Sequence, residues 1–176
     1  RDPQGRTPLH WATLAERPAT SAWLIRRGAD LSARDTNGDA ALHLAVVRWP
    51  SVVAARLLAA KAPLETRNAQ GRTPLAVAAY SSRAARALVE AGANLNPEGG
   101  EPPLHRAVQM SVDSILQRSA LPLPLAQPGS SIPSVAGSLE EIERVADLLR
   151  MGARPDLKDA RGRTPIEMAC RAGGLN

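Results

Sequence analysis

Aromatic residues are scarce in this 176-residue sequence: phenylalanine is absent, and the aromatic side chains are three tryptophans and Tyr80. Hydrophobic residues still make up 44% of the chain, and most of them are Ala, Leu and Val. A broad β-sandwich usually draws on β-branched and aromatic residues, so this composition disfavours it. It favours thin helices that pack closely, and the length is sufficient for them to bury a core.

Cysteine and long apolar runs are equally scarce. Cys170 is the single cysteine, which excludes an intramolecular disulfide framework and a cysteine metal cluster. No apolar run approaches the roughly 18 residues of a membrane span, and no signal peptide opens the sequence. The chain starts at Arg1 inside a repeated motif, so we interpret it as an excerpt of a longer protein. We expect it in the cytoplasm, or in the nucleus if the source is eukaryotic.

Lysine is rare, although the chain is basic. The formal charge is +5 and the pI is near 10.6, and all basic residues except Lys61 and Lys158 are arginines. Two interpretations stay open. GC-rich coding raises Ala, Arg, Pro and Gly together. Alternatively, arginine suits a partner with an acidic surface, because the guanidinium group forms bidentate hydrogen bonds with carboxylates.

Two landmarks recur in phase along the chain. Gly5, Gly38 and Gly71 each close a turn that begins with Asp or Asn, and they are 33 residues apart. A second landmark is an aliphatic pair followed after two residues by Gly-Ala, as at Gly28-Ala29. This second landmark recurs three times, first with Lys61 in place of Gly and then in two further copies. A period of this length is typical of stacked repeats.

One repeat unit can be interpreted from its chemistry. Thr7 is a helix N-cap, and Pro8 suits the first helical position, where its missing N–H costs nothing. Leu9 and Ala12 then form an apolar stripe on a short helix. A second helix ends at Gly28, since glycine accepts the positive φ of a helix terminator. Such a unit cannot bury its own apolar face, so neighbouring units must stack.

The sequence Thr-Pro-Leu-His-Trp-Ala over residues 7–12 and its degraded copies resemble the ankyrin repeat, along essentially the whole chain. The resemblance implies an all-α solenoid: helix-turn-helix units joined by β-hairpin-like fingers, with inner helices lining a concave face. We expect a single domain over residues 1–176, with four repeats and a partial fifth. The expected repeats are 2–34, 35–67, 68–96, 97–158 and 159–176.

Three irregularities interrupt the period. In the third repeat, Leu75 and Leu88 are 13 residues apart, where the first two repeats have 15. The next finger is short, because Leu95 and Leu104 are 9 residues apart where finger two has 11. The fourth repeat carries about 29 extra residues over positions 109–138, between its two helices.

The insertion divides into three parts. Apolar spacing predicts that the preceding helix continues to about Ser119. The proline-rich sequence that follows favours extended, polyproline-like backbone. A capping box at Ser138 then indicates the start of the second helix. Two alternatives stay open for the insertion: disorder or passive packing, and contact with a partner.

Histidines are the first candidates for catalysis or metal binding. His10, His43 and His105 each follow the Leu of the helix-starting motif, and the ankyrin resemblance implies that they are structural and join adjacent fingers. Stacked helices lie roughly 8–10 Å apart, too far for a shared zinc. No nucleophile or phosphate-binding motif is present, so we predict no enzyme, no catalytic residue, no metal and no cofactor. We expect Cys170 to be buried and inert.

The resemblance implies that a protein partner binds the finger tips and the concave side of the inner helices. We therefore predict a protein–protein interaction module (scaffold, adaptor or inhibitor) whose partner has an acidic surface, with no membrane or small-molecule substrate. Nucleic-acid binding through the same arginines is an alternative, and so is a passive spacer in a larger protein. The predicted partner-binding residues are Arg6, Arg34, Asn37, Asp39, Arg48, Trp49, Arg67, Gln70, Arg72, Tyr80, Met110, Arg161 and Arg163.

Overall fold

The computed structural model describes residues 1–120 and 136–172, and this part of the chain is helical. In chain order the helices are α1 (Pro8–Leu14), α2 (Pro18–Arg26), α3 (Ala41–Val46), α4 (Val52–Ala59), α5 (Pro74–Val77), α6 (Ser82–Glu90), α7 (Pro103–Ala120), α8 (Ala136–Arg150) and α9 (Pro165–Ala172). A 3-10 turn, Ala78–Tyr80, joins α5 to α6. Strand-like pairing within the described ranges is limited to one isolated bridge between Arg34 and Ala40.

The helices form two layers. Each odd-numbered, inner helix packs against the outer helix that follows it, and also against the next inner helix. Contacts between α2 and α4, and between α6 and α8, connect the outer layer. The described residues therefore form four helix pairs and the inner helix of a fifth, which confirms the predicted all-α repeat stack.

A column of leucines runs through the core. Leu9, Leu42, Leu75 and Leu104 occupy the same position of four inner helices, and all are buried. Burial of each contributes about 1.5–3 kcal/mol to stability. The position three residues later is a buried alanine in all four repeats, at Ala12, Ala45, Ala78 and Ala107. These small side chains let the inner helices approach closely, so the chain builds a dense core without phenylalanine.

Serine and threonine hydroxyls start several helices. The Thr73 hydroxyl accepts the backbone N–H of Ala76 at the start of α5, at 3.3 Å. Ser51 does the same for Ala54 in α4, at 3.0 Å. Because these bonds satisfy N–H groups that have no partner within the helix, they fix where each short helix begins.

The insertion lengthens the inner helix of the fourth repeat. Helix α7 continues to Ala120, which confirms the predicted extension to about Ser119. Helix α8 begins at Ala136, two residues before the predicted start at Ser138, and packs against α7. The proline-rich part, residues 121–135, lies outside the described residues.

Cys170 does not have the predicted environment. We expected a buried thiol, and this prediction is wrong because Cys170 is exposed. Helix α9 packs on α7 with Pro165 and Met168 buried. Cys170 lies two residues beyond Met168, about 200° around the helix, and so on the opposite side.

Candidate protein-binding surface

The candidate surface consists of the turns that precede the inner helices, here called fingers one to five, and the exposed side of those helices. The fingers comprise residues 2–6, 35–39, 68–72, 97–101 and 159–163. In finger two, Asp35 Oδ1 accepts the backbone N–H groups of Asn37 and Asp39, at 2.8 and 3.0 Å. Asn68 and Asp159 organise fingers three and five in the same way. The tip of each of these three fingers is therefore a turn that the first side chain of the finger stabilises by hydrogen bonds.

Backbone hydrogen bonds join fingers one, two and three. The Thr36 N–H donates to the Gln4 carbonyl, and the Ala69 N–H donates to the Asn37 carbonyl, each at 2.9 Å. Gly38 permits this approach: its φ is +74°, and a Cβ at this position would lie 2.6 Å from the Ala69 nitrogen. The first three fingers therefore form a continuous edge.

Histidines connect inner helices to the fingers that follow. The Nε2 atoms of His10, His43 and His105 lie 3.0, 3.0 and 2.8 Å from the carbonyl oxygens of Asp39, Arg72 and Arg163, respectively. In His43, Nδ1 accepts the N–H of Ala40 at 3.1 Å, so the ring proton lies on Nε2, which donates. All three rings are buried, so this geometry holds adjacent repeats in register.

The protonation state of His43 matches this bonding. Burial lowers the pKa of its imidazole, and this effect exceeds the opposing effects of the Arg72 carbonyl and the Asp39 charge. The neutral ring can accept one bond and donate the other, whereas the protonated ring could only donate. His43 is thus suited to a structural role at neutral pH.

Two of the predicted arginines, Arg67 just before finger three and Arg72 within it, contact finger four. The Arg67 Nη2 donates to the Glu98 carbonyl at 2.6 Å. The Arg72 Nε pairs with the Glu101 carboxylate, and both side chains are largely shielded from solvent. These contacts replace a histidine link, because the third repeat has Ala76 at the histidine position.

Arg6 and Arg163 also contact their own chain. The Arg6 guanidinium lies 5.5 Å from the centre of the Trp11 ring and 3.9 Å from Asp35. Arg163 binds the Asp159 carboxylate through two nitrogens, at 3.1 and 2.8 Å. Burial acts to raise the pKa of Asp159, but the hydrogen bonds from Arg163 and from the Arg161 N–H, together with the Arg163 charge, outweigh it and hold the pKa below its usual range.

Three of the predicted arginines remain available. Arg34, Arg48 and Arg161 are exposed, and their guanidinium groups make no hydrogen bond or ion pair with any residue that the structure describes. The Asn37 and Gln70 side chains are exposed at the tips of fingers two and three. These five side chains are the predicted residues that face solvent without an internal role.

Of the remaining predicted residues, Tyr80, Trp49 and Asp39 contact other parts of the fold. The Tyr80 hydroxyl donates to the Val46 carbonyl at 2.6 Å, joining the third repeat to the second. Trp49 is half-buried, packs against the core, and borders a groove formed with α6 and α8. Met110 is half-buried on α7. The Asp39 carboxylate accepts the side-chain amide of finger three at 2.9 Å.

Sequence reasoning named Val47 among the exposed ends of the inner helices but missed Trp11. Trp11 is 51% exposed, and its indole N–H donates to Asp2 in finger one at 3.0 Å. Val47 is 54% exposed at the end of α3. Trp11 directly follows His10, which is buried. Because side chains of successive helical residues point in different directions, the neighbour of a buried residue lies near the edge of the buried face. That position could have identified Trp11 in the sequence.

Residues 1–120 and 136–172 contain neither a candidate metal cluster nor a candidate membrane span. No group of three or more His, Cys, Asp or Glu side chains in these ranges could hold a metal ion. No helix within them combines the length and apolarity needed to cross a membrane.

Comparison with known proteins identifies the family. Residues 4–36, which comprise most of the first finger, helix pair and following turn, match the family model of the ankyrin repeat. The chain is also 33% identical over 177 residues to the B-cell lymphoma 3 protein homolog of Mus musculus, an alignment that covers 93% of this chain. The chain belongs to the ankyrin repeat family. The ankyrin array thus accounts for the repeated landmarks and for the histidine links.

Other relatives are diverse. The array is 37% identical over 110 residues to protein PhlB of Serratia liquefaciens, covering 60% of this chain. It is 30% identical over 192 residues to human neurogenic locus notch homolog protein 1, covering 96% of this chain. The three alignments span 40%, 48% and 8% of the respective relatives, so the array corresponds to less than half of each.

Family membership defines the general role. Ankyrin repeats generally mediate protein–protein interaction, and the family is typically non-enzymatic. The continuous edge formed by fingers one to three agrees with that role.

Proposed function

We propose that this ankyrin array binds a protein partner with an acidic surface through its fingers and the exposed side of its inner helices. The observation that carries the proposal is the set of exposed arginines without an internal partner: Arg34, Arg48 and Arg161. An exposed guanidinium that is free of intramolecular contacts can pair with a partner carboxylate without breaking a contact in the fold. We also propose that residues 1–176 form one domain without enzymatic activity.

Trp11 supplies an apolar contact beside this charge. Its ring is half exposed, and it is held in place by Asp2 and by the Arg6 guanidinium. Tryptophan and arginine are enriched in the residues that dominate binding energy, and a ring fixed in advance loses little conformational entropy on binding. We therefore propose Trp11 as the apolar anchor at the first repeat.

The proposal is tested by capture from a lysate of the source organism, with the array as bait and quantitative mass spectrometry as the readout. The test variant carries Arg34→Glu and Arg161→Glu. The matched control carries Arg26→Glu and Arg56→Glu, which make the same charge change at exposed positions of the outer helices α2 and α4.

We expect the finger variant to capture at least about tenfold less partner than the unmodified array does. The outer-helix variant should capture as much as the unmodified array. Equal capture by the finger variant and the unmodified array would contradict the proposal. A spacer predicts no specific partner on either bait. Nucleic-acid binding predicts a mixed-sequence complex whose affinity falls steeply with salt.

A further inference from the structure

The row of fingers is interrupted at finger four. Leu95 and Leu104 flank it and are two residues closer in sequence than the corresponding Leu31 and Leu42. Fingers one to three are joined by a regular series of backbone bonds, in which the carbonyls of Gln4 and Asn37 accept N–H groups from the next finger. Glu98 and Gly99 occupy the corresponding positions of finger four, but the Glu98 N–H and the Gly99 carbonyl make no backbone bond to finger three or finger five.

Two backbone groups are left without their usual partners. Gln70 occupies the position of the acceptors Gln4 and Asn37, but no N–H of any described residue donates to its carbonyl. Ala160 in finger five occupies the position of the donors Thr36 and Ala69, and its N–H donates to no described residue. An unpaired acceptor and an unpaired donor thus lie on either side of the short finger.

Gln70 and Ala160 line the same cavity. A notch of about 500 Å³ lies between fingers three, four and five, and both Gln70 and Ala160 border it. This volume falls within the roughly 300–1,000 Å³ of pockets that bury small ligands. Met168 and Gln109 form part of its floor on the inner helices α9 and α7. The notch is therefore large enough for a short peptide segment.

The notch is also positively charged. Arg72 pairs with Glu101, and Arg163 pairs with Asp159, so these four side chains balance one another. Arg161 borders the notch as well, and its guanidinium has no ion-pair partner among the described residues. The net excess at the notch is one positive charge, carried by an exposed side chain.

We propose that the notch receives an extended acidic segment of the protein partner, which supplies the backbone bonds that finger four does not make. The partner's backbone donates an N–H to the Gln70 carbonyl and accepts the Ala160 N–H, and a carboxylate of the segment pairs with Arg161. Completion of an interrupted backbone series by an added strand is a recurrent mode of peptide recognition. This inference rests on the proposed protein-binding function and assigns it a specific subsite.

A random heptapeptide library displayed on phage is the probe, panned against the full 176-residue chain. We expect the enriched peptides to carry Asp or Glu. Their synthetic forms are then titrated against variants of the array by isothermal calorimetry. Arg161→Glu should weaken binding at least about tenfold, whereas Arg26→Glu on α2 should leave it unchanged.

The decisive variant fills the notch. Replacing residues 97–99 by Ala-Arg-Asp-Thr-Asn, the sequence of residues 33–37, restores the 11-residue spacing between the flanking leucines. The matched control replaces the same residues by Ala-Arg-Asn and keeps finger four short. Circular dichroism and thermal unfolding check that both variants fold. We expect the full-length finger to abolish peptide binding and the short control to retain it.

Each outcome decides the proposal. Failure of the library to enrich any peptide overturns it, and so do enriched peptides without carboxylates. Equal binding to the filled and short-finger variants also overturns it. If the notch proposal fails while Arg34→Glu and Arg161→Glu together still reduce partner capture, the proposed protein-binding function stands without this subsite.

Discussion

His105 and Pro102 in the fourth repeat occupy the positions of His10 and Thr7 in the first, but they do not share the hydrogen bond that His10 and Thr7 make. In the first repeat, the Thr7 N–H donates to His10 Nδ1 at 3.1 Å. Proline has no N–H, and His105 Nδ1 is buried without a partner among the described residues. The fourth repeat therefore keeps the histidine link to finger five but leaves a buried nitrogen unsatisfied.

Pro102→Ala should stabilise the array by about 1 kcal/mol. The new N–H would satisfy His105 Nδ1, which removes a penalty of roughly 1–3 kcal/mol. Loss of proline rigidity in the unfolded chain offsets about 0.4–1 kcal/mol of this gain. The free energy of unfolding, measured by urea denaturation of both proteins, checks the prediction.

The control for Pro102→Ala is the same substitution in a His105→Ala background. Without the imidazole, the new N–H has no nitrogen to satisfy, so only the entropic loss remains and the array should become slightly less stable. An equal gain in both backgrounds would show that the N–H acts on some other group.

Arg72→Gln should destabilise the array by about 0.5–1 kcal/mol, whereas Arg34→Gln should change its stability very little. Arg72 joins finger three to Glu101 in finger four, and both side chains are only partly exposed. Pairs of this kind contribute on the order of 0.2–1 kcal/mol. Arg34 is exposed and makes no side-chain bond to a described residue. Urea denaturation of the two variants measures the difference.

Salt provides a second check on Arg72. Because part of the Arg72 contribution is electrostatic, the stability difference between Arg72→Gln and the unmodified array should shrink as salt rises. A stability loss for Arg34→Gln as large as that for Arg72→Gln would contradict the distinction between engaged and available arginines.

The periodic features of this chain could be predicted from sequence. The leucine and alanine columns follow from the helical period and the 33-residue repeat, and so does the stacking of inner helices. The extension of α7 to Ala120 was also predictable, because apolar residues continue at helical spacing into the insertion. In each case the signal is a pattern repeated along the chain.

The internal contacts of the arginines could not be predicted in this way. Arg72 and Glu101 are 29 residues apart, and Arg67 binds a backbone carbonyl, which residue type does not reveal. Whether an arginine is available therefore depends on how each finger aligns with the next. Cys170 shows the same limit, since its exposure depends on which side of α9 packs on α7.

Lowering the pH should destabilise the array through His43. Its folded-state pKa is lowered by burial from the ordinary value of 6.5, so the unfolded chain binds the proton more readily. The stabilising contribution is complete above pH 6.5 and is lost as the pH falls toward the folded-state pKa. His43→Gln removes this titration. Urea denaturation between about pH 7.5 and about pH 5.5 should show a smaller loss of stability in the variant. Equal losses would contradict the assignment.

Lys61→Gly should stabilise the array by about 0.5–1 kcal/mol. Lys61 follows α4 with a φ of +56°, at the position that Gly28 occupies after α2 with a φ of +76°. A side chain in this left-handed conformation costs roughly 1–2 kcal/mol, and the greater freedom of glycine in the unfolded chain offsets roughly 0.5–1 kcal/mol. Lys61→Ala is the matched control, because alanine keeps the Cβ and should give no such gain. Urea denaturation measures both variants, and equal stabilities would show that the conformation of Lys61 is not strained.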